Sequence, residues 1–157
     1  MPQSHPAPAF QLSNPPGLYD PSVNGYSHVA ELEPGARLLF IAGQGGEDTE
    51  GRLSSAFAAQ ARQALANLRT ALQSKGTDVQ HVVKLTLLIV DHDEVKLRIW
   101  VDELDQAWRG AMKPVCTLIP VPRLALVGMQ IEIEAVAAVS PVASPTPGDA
   151  RPAEVDR

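Results

Sequence analysis

HVVKLTLLIV, residues 81–90, decides the fold. The run is β-branched and leucine-rich, apolar on both alternating faces around Lys84 and Thr86, and short, which predicts a central, covered strand. Such a strand needs helices to cover it, and both flanks provide one. Upstream, Phe57, Ala61, Ala64, Leu65, Leu68 and Leu72 recur at helical spacing, while Gln60, Arg62, Gln63, Asn67 and Arg69 occupy the rest of the surface. Ser54 or Ser55 is placed to cap this helix and Gly76 to end it. Downstream, the carboxylates of 91–94 precede Val95, Leu97, Val101, Leu104 and Trp108, with Trp100 nearby and Gly110 closing a second amphipathic helix.

Further out, residues 27–32 and 37–42 read as strands. The Pro-Gly turn in Glu33-Pro34-Gly35-Ala36 predicts that they form an antiparallel hairpin. Residues 115–119 and 129–139 are the last two strands, the latter alternating Ile131 and Ile133 against Glu132 and Glu134. The order β-β-α-β-α-β-β implies an α+β sheet with both helices on one face. Proline sets the limits of this unit: seven of the 14 prolines precede Gly35, four follow Ser140, and none lies between Gly35 and Lys113. The expected organisation is a flexible segment at 1–13, a folded domain at 14–139 and a disordered tail at 140–157.

At 157 residues with 45% hydrophobic and 20% charged residues, the chain has the composition of one globular domain that buries its own core. Its net charge of -5 makes nucleic acid a poor partner, since there is no cationic surplus to neutralise phosphates. No apolar run approaches a bilayer span, and the first residues lack the basic and apolar regions of a leader, so no membrane association is expected. Cys116 is the lone cysteine and has no internal partner. A reducing, cytoplasmic setting is the expectation, although a disulfide-free exported protein has the same cysteine count.

The signatures of phosphate-binding loops, zinc sites and serine hydrolases are absent, and neither a cofactor nor a metal is implied. Gly43-Gln44-Gly45-Gly46 follows a strand and reads as a turn needing positive φ, or as backbone N–H groups open to an anion. Asp91-His92-Asp93 reads as helix caps and solvated charge rather than as a metal cluster, because no further ligand lies at suitable spacing. Cys116 is either a small buried hydrophobe or a nucleophile with Lys113 upstream to lower its pKa. Glu132 and Glu134 share a strand face that is solvated, meets a partner, or holds a general acid. Tyr26, with His28 close by, lines a pocket or closes the core.

Five separated segments occur in an order and at intervals that carry a resemblance: N-G-Y-S-H at 24–28, L-F-I-A-G-Q at 39–44, A-R-Q-A-L-A-N-L at 61–68, D-V-Q-H-V-V-K-L-T at 78–86, and P-R-L with I-E-I-E-A across 122–135. Together they resemble the RidA/YjgF family, also called L-PSP endoribonuclease-like, over about residues 20–139. The resemblance implies a chorismate-mutase-like fold and a homotrimer with ligand clefts between subunits. It also implies hydrolysis of reactive enamines and imines, with an arginine that clamps the substrate carboxylate two residues before a strand cysteine. Aligned on P-R-L at 122–124, the arginine position holds Cys116 and the cysteine position Leu118, while Ala42 stands where the family has a serine before G-Q. Tyr26, Gly43, Gln44 and Glu132 match, with Glu132 the implied catalytic carboxylate; Arg123 belongs to the P-R-L motif and reads as structural or as a cleft-rim residue. The stretch 124–131 is one residue longer than the family pattern. A thiol does not replace a bidentate guanidinium. The expectation is therefore a small-molecule-binding trimer with weak or no 2-aminoacrylate deaminase activity. The alternatives are a deaminase with a non-standard substrate contact, and a ribonuclease, against which the acidic charge counts.

Overall fold

In the computed structural model, residues 7–141 are described. The elements in chain order are β1 (Phe10–Ser13), β2 (Val29–Leu32), β3 (Arg37–Gly45), α1 (Phe57–Gln73), β4 (Val82–Val90), α2 (Glu94–Trp108), β5 (Val115–Val121) and β6 (Ile131–Val139). Short 3-10 turns occupy Ser22–Asn24 and Val79–His81. The main sheet has the order β3-β6-β4-β5. Both pairings of β6 are antiparallel, and β4 runs parallel to β5 through the α2 crossover. Pro120 is tolerated in β5 because that strand is a sheet edge.

The central strand is β4, as its sequence predicts, but it is covered on one face. Leu85, Leu87 and Ile89 are fully buried with α1 and α2, packed among Leu68, Leu72, Trp100 and Leu104. Burying each such side chain contributes roughly 1.5–3 kcal/mol, so this layer dominates the stability of the fold. The opposite face carries Thr86 and Leu88 of β4, Glu132 and Glu134 of β6, Phe40 of β3 and Ile119 of β5. Among the described residues no helix covers it, and Phe40 is 78% exposed.

The structure corrects several local expectations. β2 and β3 do not pair: β2 joins β1 in a separate two-stranded sheet, from Phe10 opposite Leu32 to Ser13 opposite Val29, and β3 pairs with β6. The Pro34-Gly35 turn does form, with Gly35 at φ 80° and Ala36 N–H donating to Glu33 O at 3.2 Å. With proline then a positive-φ glycine it is the type II kind, which splays strands where hairpins favour the primed turns, and it passes the chain from one sheet to the other. The segment expected to be flexible at 1–13 is ordered from residue 7: Ala9 is fully buried, and Glu33 N–H donates to Ala9 O at 2.9 Å. A strand held by main-chain bonds at a sheet edge needs no side-chain pattern, so proline content misplaced this boundary. Residues 1–6 and 142–157, the latter nearly all of the expected tail, lie outside the described residues.

Neither Ser54 nor Ser55 caps α1; Ala56 holds the N-cap position, and Ser54 Oγ accepts from Ala56 N–H one turn earlier, at 3.1 Å. Gln60 is fully buried instead of solvated. Its Nε2 donates to Ser54 O at 2.7 Å and Gly128 O at 2.8 Å, and its Oε1 accepts from Gln130 N–H at 2.8 Å. A buried amide with its bonds satisfied fastens the 122–130 connection to α1. Asp93 caps α2, accepting from Lys96 N–H at 2.7 Å.

Candidate functional site

The chemistry-bearing residues gather at two places, one on each edge of the main sheet. At the β5 edge, Cys116 and Leu118 stand opposite Leu85 and Leu87 of β4, which turns both side chains toward α2. Tyr26 is brought beside them by its neighbours. Gly25, at φ 73°, ends the 3-10 turn in a left-handed backbone that favours glycine and packs closely against Leu104 and Val101. Ser27 then bonds the start of β5, its N–H to Pro114 O at 3.1 Å and its Oγ to Lys113 O at 2.6 Å. Tyr26, Cys116 and Leu118 share a cavity of about 410 Å³ whose remaining wall includes Asn24, Leu97 and Trp100. That volume lies in the small-ligand range, and among the described residues the lining contains no lysine, arginine or carboxylate.

The Tyr26 hydroxyl is hydrogen-bonded to that of Tyr19. The bond and partial burial push Tyr26 up to about 12, while the same bond and one from Asn24 lower Tyr19. Tyr26 is thus held as a neutral phenol in a hydroxyl–hydroxyl pair with Tyr19. His28 closes this cluster from outside the cavity: its ring lies 5.5 Å from Tyr26 and 5.6 Å from Tyr19, with Nε2 2.9 Å from Tyr19 O. Burial pushes the Cys116 thiol up to about 12. Lys113, read from sequence as a charge that lowers it, is ion-paired with Asp105. The thiol is a small apolar lining group here rather than an activated nucleophile.

At the other edge, the ladder between β3 and β6 skips from Ile41 opposite Ala135 to Gln44 opposite Ile133, so Ala42 and Gly43 form a bulge. Glu132 lies across it. A Cβ at Gly43 would meet Glu132 Oε1 at 1.8 Å, so only glycine lets the carboxylate rest on the backbone. Gln44 Nε2 donates to Ala42 O at 3.0 Å and to Gly43 O at 3.3 Å. The 43–46 run is therefore not a turn: Gly43 and Gly45 lie within β3, and no glycine of the run has positive φ. Close approach is the reason for them, most strictly at Gly46, where a Cβ would fall 2.6 Å from Gln60 Cα.

Within one chain the two groups stay apart. β6 and β4 separate β3 from β5, a distance of roughly 14 Å at ordinary strand spacing. Tyr26, Cys116 and Leu118 are brought together, and so are Ala42, Gly43, Gln44 and Glu132. Arg123 is exposed after β5 and does not line the cavity.

Sequence reasoning missed His92. Asp93 caps α2, and Asp91 takes a left-handed backbone at φ 48° that turns the chain between β4 and α2. His92, between them, is one of the residues lining the Tyr26 cavity, while its Nε2 is turned into the protein, out of reach of solvent and with no hydrogen-bond partner among the described residues. The only sequence signal was an imidazole at the end of a strand that runs parallel to its neighbour, where open sheets tend to bind ligands. Among the described residues, no group of three His, Cys, Asp or Glu side chains is placed to hold a metal, and no helix is long and apolar enough to cross a membrane.

The profile of a family described as endoribonuclease L-PSP matches residues 19–139. The human 2-iminobutanoate/2-iminopropanoate deaminase is 34% identical over 123 residues, covering 77% of this chain and 85% of that protein. The mouse protein of the same name is 30% identical over 122 residues, 76% of this chain and 85% of its own. Among solved structures, a Rid-family protein of unknown function from Yersinia pestis superimposes with a TM-score of 0.79 at 33% identity, covering 83% of this chain and 99% of that one. TdcF from E. coli, solved with bound serine, gives 0.59 at 26% identity, covering 69% and 85%. The α+β architecture with Rid/YjgF neighbours is the chorismate-mutase-like fold.

Proposed function

Because the chain belongs to the RidA/YjgF family, the endoribonuclease L-PSP family, we propose that it binds a small uncharged metabolite in clefts completed between copies of itself, and that it hydrolyses amino-acid imines weakly. One observation carries the reading: among the described residues, the cavity that holds Tyr26, Cys116 and Leu118 offers no lysine or arginine to a carboxylate. Moving a carboxylate from water into such a wall is costly without a partner charge, whereas an uncharged molecule with one polar group meets leucine, tryptophan and a tyrosine hydroxyl.

The separation of the two residue groups supports assembly. A homotrimer that packs the uncovered sheet faces together would cover Phe40 and Ile119 and bring the Gly43–Glu132 edge of one copy toward the Cys116 edge of the next. Sedimentation should give a trimer, and a stable monomer would remove the composite site.

A second reading, an imine deaminase with an unusual substrate contact, is favoured by the names of the human and mouse relatives and by Glu132. In that reaction the water oxygen bonds to the imine carbon and its proton passes to nitrogen, after which the carbon–nitrogen bond breaks to give a carbonyl and ammonia. Glu132 would take the proton from water and return it to the leaving nitrogen. Amino-acid imines generated in situ by an oxidase separate the readings when assayed beside Cys116→Arg. Slow turnover by the native protein with faster turnover by the variant supports the uncharged-ligand cleft. Rapid turnover by the native protein puts the deaminase first.

A further inference from the structure

We infer that Tyr19 is a positioning residue for Tyr26: its hydroxyl donates to the Tyr26 oxygen and so leaves the Tyr26 proton for a carbonyl or imine acceptor on a ligand in the cavity. The inference deepens the uncharged-ligand reading and rests on it. Tyr19 is 58% exposed and stands outside the cavity, whose wall holds Tyr26 and Asn24, so it acts through the hydroxyl pair. Despite that exposure the ring is held on several sides. It meets the Tyr26 ring edge to face, with centroids 6.4 Å apart at 66°, and the His28 ring at 5.6 Å and 84°. His28 Nε2 lies 2.9 Å from Tyr19 O, and His28 is itself fixed by its N–H donating to Asn14 Oδ1 at 2.9 Å.

Each hydroxyl has one proton to give, so the pair can run in either direction. Asn24 Nδ2 donates to the Tyr19 oxygen at 3.5 Å. An oxygen that already accepts is the better donor, so the chain runs from Asn24 through Tyr19 to Tyr26 and ends on the Tyr26 proton. Cys116 is near enough to act electrostatically on the Tyr26 hydroxyl, which puts that hydroxyl on the thiol's side of the cavity. Leu87, Leu97, Trp100 and Leu118 supply apolar walls around it. The ligand class is a small neutral carbonyl or imine with a hydrocarbon body. Ionisation of Tyr19 reverses the chain, because a phenolate only accepts and Tyr26 must then donate to it. The other titratable groups against the pair are Asp20, His28 and Cys116. Carboxylates and imidazoles ordinarily finish titrating below about pH 8, and Cys116 keeps its proton up to about 12, so Tyr19 alone changes charge near pH 9–10.

The chain has two tyrosines, so tyrosinate absorbance of the intact protein reports this pair alone. The native protein should titrate in two separate steps, one below the ordinary 10.0 and one up at about 12, and Tyr19→Phe should bring the remaining step back toward 10.0. A late step unmoved in Tyr19→Phe overturns the pair. Benzamide and thiobenzamide then test the direction, since they have nearly the same shape and the same N–H donors while sulfur is a much weaker acceptor than oxygen. Both are titrated by calorimetry into the native protein, Tyr26→Phe and Tyr19→Phe. The preference for benzamide over thiobenzamide should fall by about tenfold in Tyr26→Phe, the worth of one hydrogen bond, and by about threefold in Tyr19→Phe, where the hydroxyl is no longer held. Raising the pH from about 7 to about 10 should lower the native preference in the same way and leave that of Tyr19→Phe unchanged, a comparison that needs no loss variant to fold. Equal weakening of both ligands in Tyr19→Phe makes Tyr19 a packing residue, and a preference that survives in Tyr26→Phe removes Tyr26 as the donor; either overturns the inference and leaves the uncharged cleft standing. Binding of neither ligand by the native protein overturns the uncharged-ligand reading itself, whatever the absorbance shows.

Discussion

The two edges of the main sheet differ in what they place before a ligand. The β5 edge is a cavity lined by leucine, tryptophan and a protonated thiol, with one tyrosine and one histidine. The β3 edge is a bulge with a carboxylate resting on a glycine. The first offers shape and an uncharged wall. The second offers a carboxylate, and its Ala42 and Gln44 line a separate open cavity of about 520 Å³. In the proposed function, recognition and proton transfer fall to different strands, so that one can change without the other.

The sharpest way to break this division is at the carboxylate. In the assembled protein, Glu132→Gln should lower whatever imine hydrolysis is present by about 10²-fold or more while leaving benzamide affinity unchanged. Equal losses in both would mean that the edges act as one unit. A smaller effect is expected at the turn between β4 and α2. Asp91→Val places a β-branched residue at φ 48° and should cost about 1–2 kcal/mol, seen as a melting point several degrees lower.

The thiol gives a pH signature specific to the β5 edge. Folded Cys116 keeps its proton up to about 12, whereas the unfolded chain releases it near the ordinary value of 9.0. Above that value the unfolded state binds fewer protons, so stability is full below about pH 9 and falls as pH rises toward 12. Urea unfolding at stepped alkaline pH should show a shallower fall in Cys116→Ala, while Tyr26, held up by its bond to Tyr19, contributes in the same direction. An identical slope would place the thiol in water. The smallest expected change in stability is at the β3 edge: Gly43→Ala must push aside only the end of the Glu132 side chain, so melting should shift little while hydrolysis drops. A large loss of stability there would show that the bulge itself cannot accept a side chain.

The contrast between the edges also marks how far the residues could be read in order. The β4 run, the apolar stripes of α1 and α2, and the alternation of β6 are periodic over a turn or more, and each formed in its place. Tyr26 with Cys116 and Leu118, and Gly43 with Glu132, could be grouped only through the family resemblance, because each group joins segments far apart in the chain. Asp91-His92-Asp93 was legible as capping chemistry, which Asp93 performs, but not as a device that turns His92 inward.

By itself, then, the sequence determined what local periodicity and composition can carry: an α+β unit with a central apolar strand, two covering helices, and an acidic surface. Tertiary structure alone decided that β2 leaves β3 for β1, that Gln60 is buried, that the glycines of 43–46 serve close approach instead of a turn, and that His92 joins Tyr26 and Cys116 around one cavity. These are questions of which distant groups meet. A turn constrains the path of four residues, and a periodic stripe identifies a face, but the partner of a strand edge or a buried donor is chosen by competition among all the surfaces that the folded chain brings together.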